Sequence, residues 1–275
     1  MRFSVKQTFV FIAFIGILPG LLMGAFLGLA YDLPEINHLK QFKPSSVTTV
    51  FSSDNQVINR FYLEKRFPVS IEKIPKSLID ALITTEDRLF FDHAGVNLKA
   101  ILRALLQDIK AGGFKQGAST LTQQLAKTLF LSPEKSIVRK IREAILAVQI
   151  ERRYTKNEIL ELYLNLVYLG SGAYGVEAAA RTYFDRSVTD LTLGQAALLA
   201  GLPKAPSVYS PLNNPILAEK RRALVLKQMR LANIISPQAQ TLANKEPVTI
   251  KPRTETHSPA PFFVAYLKNI LQMHP

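Results

Sequence analysis

T-E-D-R-L-F-F-D-H-A-G occupies residues 85–95, G-A-S-T-L-T-Q-Q follows at 117–124, and R-K-I-R-E closes the stretch at 139–143. Two carboxylates, Glu86 and Glu143, bracket a run of hydroxyls, amides and cations. Such a set suits transfer chemistry on a phosphate leaving group. One carboxylate takes the proton of an attacking hydroxyl, and the cations neutralise charge left on the phosphates. Arg139 and Lys140 precede Glu143 by four and three residues, so on a helix all three share a face. Cations beside Glu143 suit charge organisation better than proton donation. On the residues alone, either glutamate could be the base.

The flanking sequence is helical in pattern. Pro75 marks a helix start, and Leu78, Leu82 and Ile83 form an apolar face leading to Glu86. Residues 96–109 predict a second amphipathic helix with Leu98, Ile101, Leu102, Leu105 and Ile109 on its apolar side, ended by Ala111-Gly112-Gly113. Residues 114–118 read as a mobile loop and 119–130 as helix. Ser132-Pro133 fits an N-cap followed by a first-turn proline. That predicts a long helix to about Arg153, with Ile137, Ile141, Ile145 and Val148 facing a core. Thr155 and Glu158 form a capping box for a helix over 156–167. A Gly-rich loop spans 169–175, and helices follow at 176–184, 192–200 and 219–232, with a short one from Ser236-Pro237. Upstream, residues 47–69 alternate apolar and polar around the turn Ser53-Asp54-Asn55, giving two or three short strands. The soluble part is otherwise all-α.

Composition narrows the partners. The 275 residues suffice for one large domain or two small ones. Cysteine is absent, which excludes structural disulfides and thiolate metal sites. The four histidines, His38, His93, His257 and His274, are too scattered for a His-rich site. A net charge of +13 points to an anionic partner: nucleic acid, a membrane surface or a phosphorylated substrate. Zinc-finger spacing and aromatic RNA-binding signatures are missing, which sets nucleic acid aside. Arg2 and Lys6 precede an uncharged run at 8–31, about 36 Å long as a helix and enough to cross a bilayer core. The flanking cations favour an inside N-terminus. The run exceeds a typical signal-peptide core, so it reads as an uncleaved anchor rather than a leader cut near Gly28-Leu29-Ala30.

Two further motifs complete a series: K-x-x-I-L-x-x-Y-L-N at 156–165 and R-R-x-x-V-L-x-x-M at 221–229. With E-D-x-x-F-x-x-H-x-G at 86–95, G-x-S-T-x-x-Q-Q at 117–124 and R-K-x-x-E at 139–143, the order resembles that of the family 51 glycosyltransferases, the peptidoglycan polymerases. The likeness is greatest to the N-terminal half of bifunctional class A penicillin-binding proteins. It implies a mainly α, lysozyme-like helical domain with a small membrane-proximal lobe. The implied layout is a cytoplasmic tail at 1–7, a transmembrane anchor at 8–31 and a linker with short strands at 32–70. The glycosyltransferase domain would span 71–245 and a C-terminal linker remnant 246–275. The catalytic domain would lie on the outer face of the cytoplasmic membrane.

The resemblance further implies lipid II and the growing glycan chain as substrates, the membrane as a partner, and cell-wall synthesis proteins as further partners. Glu86 would be the general base, and Glu143 would assist at the donor. Lys127, Lys135, Arg139 and Lys140 would surround the donor diphosphate. Ser119, Thr120, Gln123 and Gln124 would line the cleft. A divalent cation, Mg²⁺ or Mn²⁺, is an option at Glu143, and no organic cofactor is implied. His93 reads as structural, and Arg221 and Arg222 as scaffolding distant from the glutamates in sequence. S-x-x-K at 132–135 and S-D-N at 53–55 match penicillin-reactive motifs, but their order is reversed and K-T-G is absent, so no transpeptidase activity is expected. Two other readings stand beside the polymerase: a lytic enzyme on a lysozyme-like fold, and an inactive, membrane-anchored interaction module. A neutral leaving group needs no cationic cradle, which counts against the lytic reading.

Overall fold

The computed structural model describes residues 48–61, 65–111, 119–132, 134, 136–248 and 260–273, with scattered positions between 19 and 36. Thr48–Phe51 (β1) and Val57–Phe61 (β2) form an antiparallel hairpin, with Thr48 opposite Phe61 and an irregularity between Val50 and Phe51. Its turn places Asn55 at φ 61°, a left-handed position that asparagine tolerates. Lys65–Arg66 (β3) pairs in parallel with Ala173–Tyr174 (β4), inside the Gly-rich loop.

Among the described residues, eleven α-helices follow the hairpin, with three single-turn 3-10 helices between elements. The α-helices are α1 (Lys76–Glu86), α2 (Leu98–Ala111), α3 (Leu121–Phe130), α4 (Ile137–Arg153), α5 (Lys156–Leu166) and α6 (Val176–Phe184). The series continues with α7 (Leu193–Gly201), α8 (Pro206–Tyr209), α9 (Pro215–Leu231), α10 (Pro237–Lys245) and α11 (Pro261–Met273). Helices α1, α7 and α9 pack on one another, and α3 packs on α4 and α5. One hydrophobic core joins the two groups, running from Leu78 and Leu82 through Leu121, Leu125 and Leu146 to Val225 and Met229. Small residues set the spacing: Ala196, Ala197 and Ala200 are fully buried on α7. A β-carbon at Gly201 would come within 2.9 Å of Arg221 Cγ, so the glycine lets α9 lie close against the end of α7.

Capping explains most helix starts. Thr120, Thr155 and Thr192 each accept from the backbone N–H three residues on, and Gln123, Glu158 and Gln195 return the bond. Ser236 caps α10 with Pro237 in its first turn. The expected start at Ser132 is corrected, because α4 begins at Ile137. Ser136 Oγ accepts from Arg139 N at 3.0 Å and satisfies a helix-end donor there.

Two expected core faces also differ. On α4, Ile137 is 82% exposed and Ile141 is also exposed, while Glu143, Leu146, Ala147 and Ile150 point inward. On α2, Leu98 is 75% exposed and Ile101 and Leu102 are exposed, with Ala104 buried. An apolar stripe fixes the periodicity of a helix but not which apolar surface it meets.

The expected linker is held to the helical core at Ile36. That side chain is buried, and its carbonyl accepts from Tyr154 Oη at 3.2 Å. Of the expected anchor, the described positions Pro19, Gly20, Leu21, Met23, Gly24, Gly28 and Tyr31 are helical and exposed. Among the described residues no helix is long and apolar enough to cross a membrane. Residues 112–118, which include the expected loop, lie outside the described residues.

Candidate active site

Glu86 is the last residue of α1, and Asp87 turns the chain out of the helix at φ −157°. Arg88 Nε donates back to Thr84 O at 3.0 Å and closes the helix end. The loop that follows is held from both sides. Asp87 is buried and accepts the Leu121 N–H at 3.0 Å, at the start of α3. It also accepts from His93 Nε2 at 3.0 and 3.1 Å. His93 Nδ1 accepts the Gly95 N–H at 3.2 Å, which puts the ring proton on Nε2. Gly95, at φ +93°, lies against α4, where a β-carbon would meet Ala147 O at 2.6 Å. His93 is therefore a structural link, as its sequence context implied. Beneath the loop, Lys156 Nζ donates to His93 O at 2.7 Å, pairs with Glu151 at 2.8 Å and sits 4.3 Å over the Phe90 ring.

Glu86 is met from two other helices, and a third holds one of the partners. Gln124 Nε2 on α3 donates to Glu86 Oε2 at 3.3 Å. Tyr163 Oη on α5 donates to Gln124 Oε1 at 2.9 Å. Arg221 Nη2 on α9 lies 3.4 Å from Glu86 Oε1. Burial pushes the Tyr163 hydroxyl well above its ordinary range, and the Glu86 charge adds to the shift. Arg221 was expected to be scaffolding distant from the glutamates, and the structure brings it to Glu86 across 135 residues of sequence. Neither Tyr163 nor Arg221 was legible as a site residue. The available signal was their place in the two later motifs.

The second carboxylate has a different setting. Glu143 is 3% exposed on the inner side of α4. Lys140 Nζ donates to Glu143 Oε2 at 2.7 Å and to Ser119 Oγ at 2.6 Å, joining α4 to the segment before α3. Arg139 Nε approaches Glu143 Oε1 at 3.5 Å, and neither of these buried atoms has a hydrogen bond. The shared face expected for Arg139, Lys140 and Glu143 is thus present. Lys127 is exposed in the last turn of α3, one turn beyond Gln124. Lys135 lies outside the described residues.

Thr120 and Gln123, expected in the cleft lining, are 1% and 2% exposed. Their side chains are committed to the capping box of α3, and Thr120 Oγ1 also donates to Gly95 O at 2.6 Å. They fix the start of α3 from inside and expose almost no surface. Ser119 and Gln124 are the members of that motif with partly accessible side chains. Arg222 is scaffolding as expected: it is buried and donates to Glu246 O and Asn244 O at 2.8 and 3.0 Å. Burial lowers its pKa, and Glu219 and Glu246 oppose the shift.

A divalent ion has little protein to hold it. Among the described residues no group of three histidine or acidic side chains could bind a metal. Glu143 Oε1 is one buried carboxylate oxygen without a hydrogen bond. It faces the Arg139 guanidinium at 3.5 Å, so an ion there would have to take most of its ligands from a phosphorylated substrate, the usual mode for Mg²⁺.

Residues 54–230 match the family described as transglycosylase. The chain is 46% identical over 244 residues to penicillin-binding protein 1A of Aquifex aeolicus, covering 86% of this chain and 34% of the relative. It is 44% identical to penicillin-binding protein 1A of Escherichia coli, over 76% of this chain and 25% of the relative. The crystal structure of penicillin-binding protein 1A from Haemophilus influenzae superposes with a TM-score of 0.51 at 25% identity, over 85% of this chain and 25% of that one. The chain thus spans about a third or less of these relatives' length.

Proposed function

The chain belongs to the transglycosylase family, and from that premise we propose that it is a peptidoglycan glycosyltransferase that polymerises lipid II. The observation that carries this reading is the division of labour between the two glutamates. Glu143 is paired with Lys140 at 2.7 Å and faces Arg139 at 3.5 Å, whereas Glu86 has no contact that short: an amide meets it at 3.3 Å and one arginine at 3.4 Å. A buried carboxylate that holds two cations organises charge; a carboxylate held by weak contacts can take a proton.

In the proposed reaction Glu86 takes the proton of the acceptor GlcNAc 4-hydroxyl. The oxygen forms a bond to C1 of the lipid-linked MurNAc while the C1–oxygen bond to the diphosphate breaks. The anomeric centre inverts, and the electron pair leaves on undecaprenyl diphosphate. Lys140 and Arg139, held in place by Glu143 and Ser119, meet that developing charge. Lys127 and Lys135 are assigned to the same anionic group by their place in the family pattern. A Mg²⁺ or Mn²⁺ ion held by Glu143 and the substrate phosphates would supply further charge neutralisation. The active face belongs outside the cytoplasmic membrane, with residues 8–31 as its anchor.

The test is lipid II polymerisation followed on a glycan-chain gel. Wild type should give polymer, and Glu86→Gln should lose on the order of 10²- to 10⁴-fold in rate with the fold intact. Cleavage of finished glycan would favour the lytic reading, and neither activity would favour the interaction module.

A further inference from the structure

We propose that Arg221 and Gln124 grip the Glu86 carboxylate by its two oxygens, that Tyr163 sets Gln124 from behind, and that all three are positioning residues that fix the direction of the base for proton abstraction. This rests on Glu86 being the base of the proposed reaction. Helices α3 and α9 each bring one side chain to Glu86 at the end of α1, and α5 brings Tyr163 to Gln124. Arg221 is itself fixed. Its Nε donates to Gly201 O at 2.9 Å, and its guanidinium lies 5.5 Å from the centre of the Tyr209 ring. Gln124 is fixed as well: the Tyr163 hydroxyl donates to its oxygen at 2.9 Å and so turns its NH₂ toward Glu86. A reversed amide would set its oxygen against the carboxylate. Tyr163 is buried and anchors the chain of contacts in the core.

The lengths matter. At 3.3 and 3.4 Å both contacts to Glu86 are long for hydrogen bonds, so they orient the carboxylate without saturating it. A scaffold salt bridge would be expected to be short and bidentate. Glu86 also keeps 13% of its side chain exposed, more than the 5% of Arg221 behind it.

The experiment measures kcat and KM on lipid II for Tyr163→Phe, which fills the same volume and removes only the hydroxyl. Losing the set of the base should cut kcat on the order of 10- to 100-fold and leave KM unchanged. Wild-type kcat, or an effect confined to KM, overturns the grip. Independently of turnover, thermal unfolding of Arg221→Lys, Glu86→Gln and their double variant closes a cycle. Tm losses that fail to add support the contact, and strictly additive losses overturn the role of Arg221. If Arg221→Lys does not fold, the kcat and KM of Tyr163→Phe decide the grip. If wild type shows no turnover, the polymerase reading fails, while the cycle still judges the grip.

Discussion

The Asp87 carboxylate accepts the backbone N–H of Leu121 at 3.0 Å, tying the end of α1 to the start of α3. It thereby places Glu86 and the helix that carries Gln124 relative to one another. Asp87→Ala would leave the Leu121 N–H and the His93 Nε2–H buried without an acceptor. Stability should fall by about 2–4 kcal/mol in urea unfolding. Asp87→Asn keeps one acceptor and should lose about half as much. Full stability in Asp87→Ala would mean that the two helices are held elsewhere.

Gly95 carries the second constraint on that loop. Its φ of +93° disfavours any side chain, and a β-carbon would stand 2.6 Å from Ala147 O, a backbone atom that cannot swing aside. Gly95→Ala should therefore cost at least about 1–3 kcal/mol and lift the loop off α4. Polymerisation should drop with it, because Asp87 and Glu86 sit at the loop's other end. An unchanged Tm in calorimetry would contradict this packing.

Much of this arrangement was legible locally. The box at Thr155 announces its helix because both partners lie within one turn. The shared face of Arg139, Lys140 and Glu143 follows from helical spacing alone. The start of α4 was not legible, because Ser132 and Ser136 are both plausible caps and the choice depends on which side chain reaches a free N–H. Ile137 and Leu98 were assigned inward because periodicity cannot say what surface a stripe meets. The Arg221–Glu86 contact joins positions 135 apart, and no local pattern encodes such a pairing. Gln123 and Gln124 are adjacent and identical in type, yet one is buried in a cap and the other faces Glu86.

Lys140 and Glu143 should separate by their kinetic signatures. Lys140 is half exposed and bridges Ser119 and Glu143, so Lys140→Met removes a charge from the side proposed for the donor. Loss of one such electrostatic stabiliser should lower kcat on the order of 10²- to 10³-fold. Glu143→Gln leaves Lys140 and Arg139 in place but unanchored. It should raise KM for lipid II as well as lower kcat. Steady-state kinetics on the two variants check this, and wild-type values in either would remove that residue from the donor site.

Alkaline stability should report on Tyr163. Burial raises the pKa of Tyr163, and that of Tyr183, above the ordinary value of 10.0. For Tyr183, hydrogen bonds with Ser171 and Ser210 partly offset the rise. In the folded chain both hydroxyls keep their protons at a pH where the unfolded chain has lost them. The stabilisation is therefore complete below about pH 10 and is lost as pH climbs from there through the folded-state values. Each tyrosine should contribute a slope of about 1.4 kcal/mol per pH unit across that window. Lysines titrate in the same range, so the raw slope of the wild type is not diagnostic. Tyr163→Phe removes one titrating group without altering the lysines. Urea unfolding between about pH 9 and about pH 11 should show the variant losing stability less steeply than wild type by that one-proton slope. Parallel curves would mean that water reaches the Tyr163 hydroxyl in the folded state, which would also dislodge it as the anchor of Gln124.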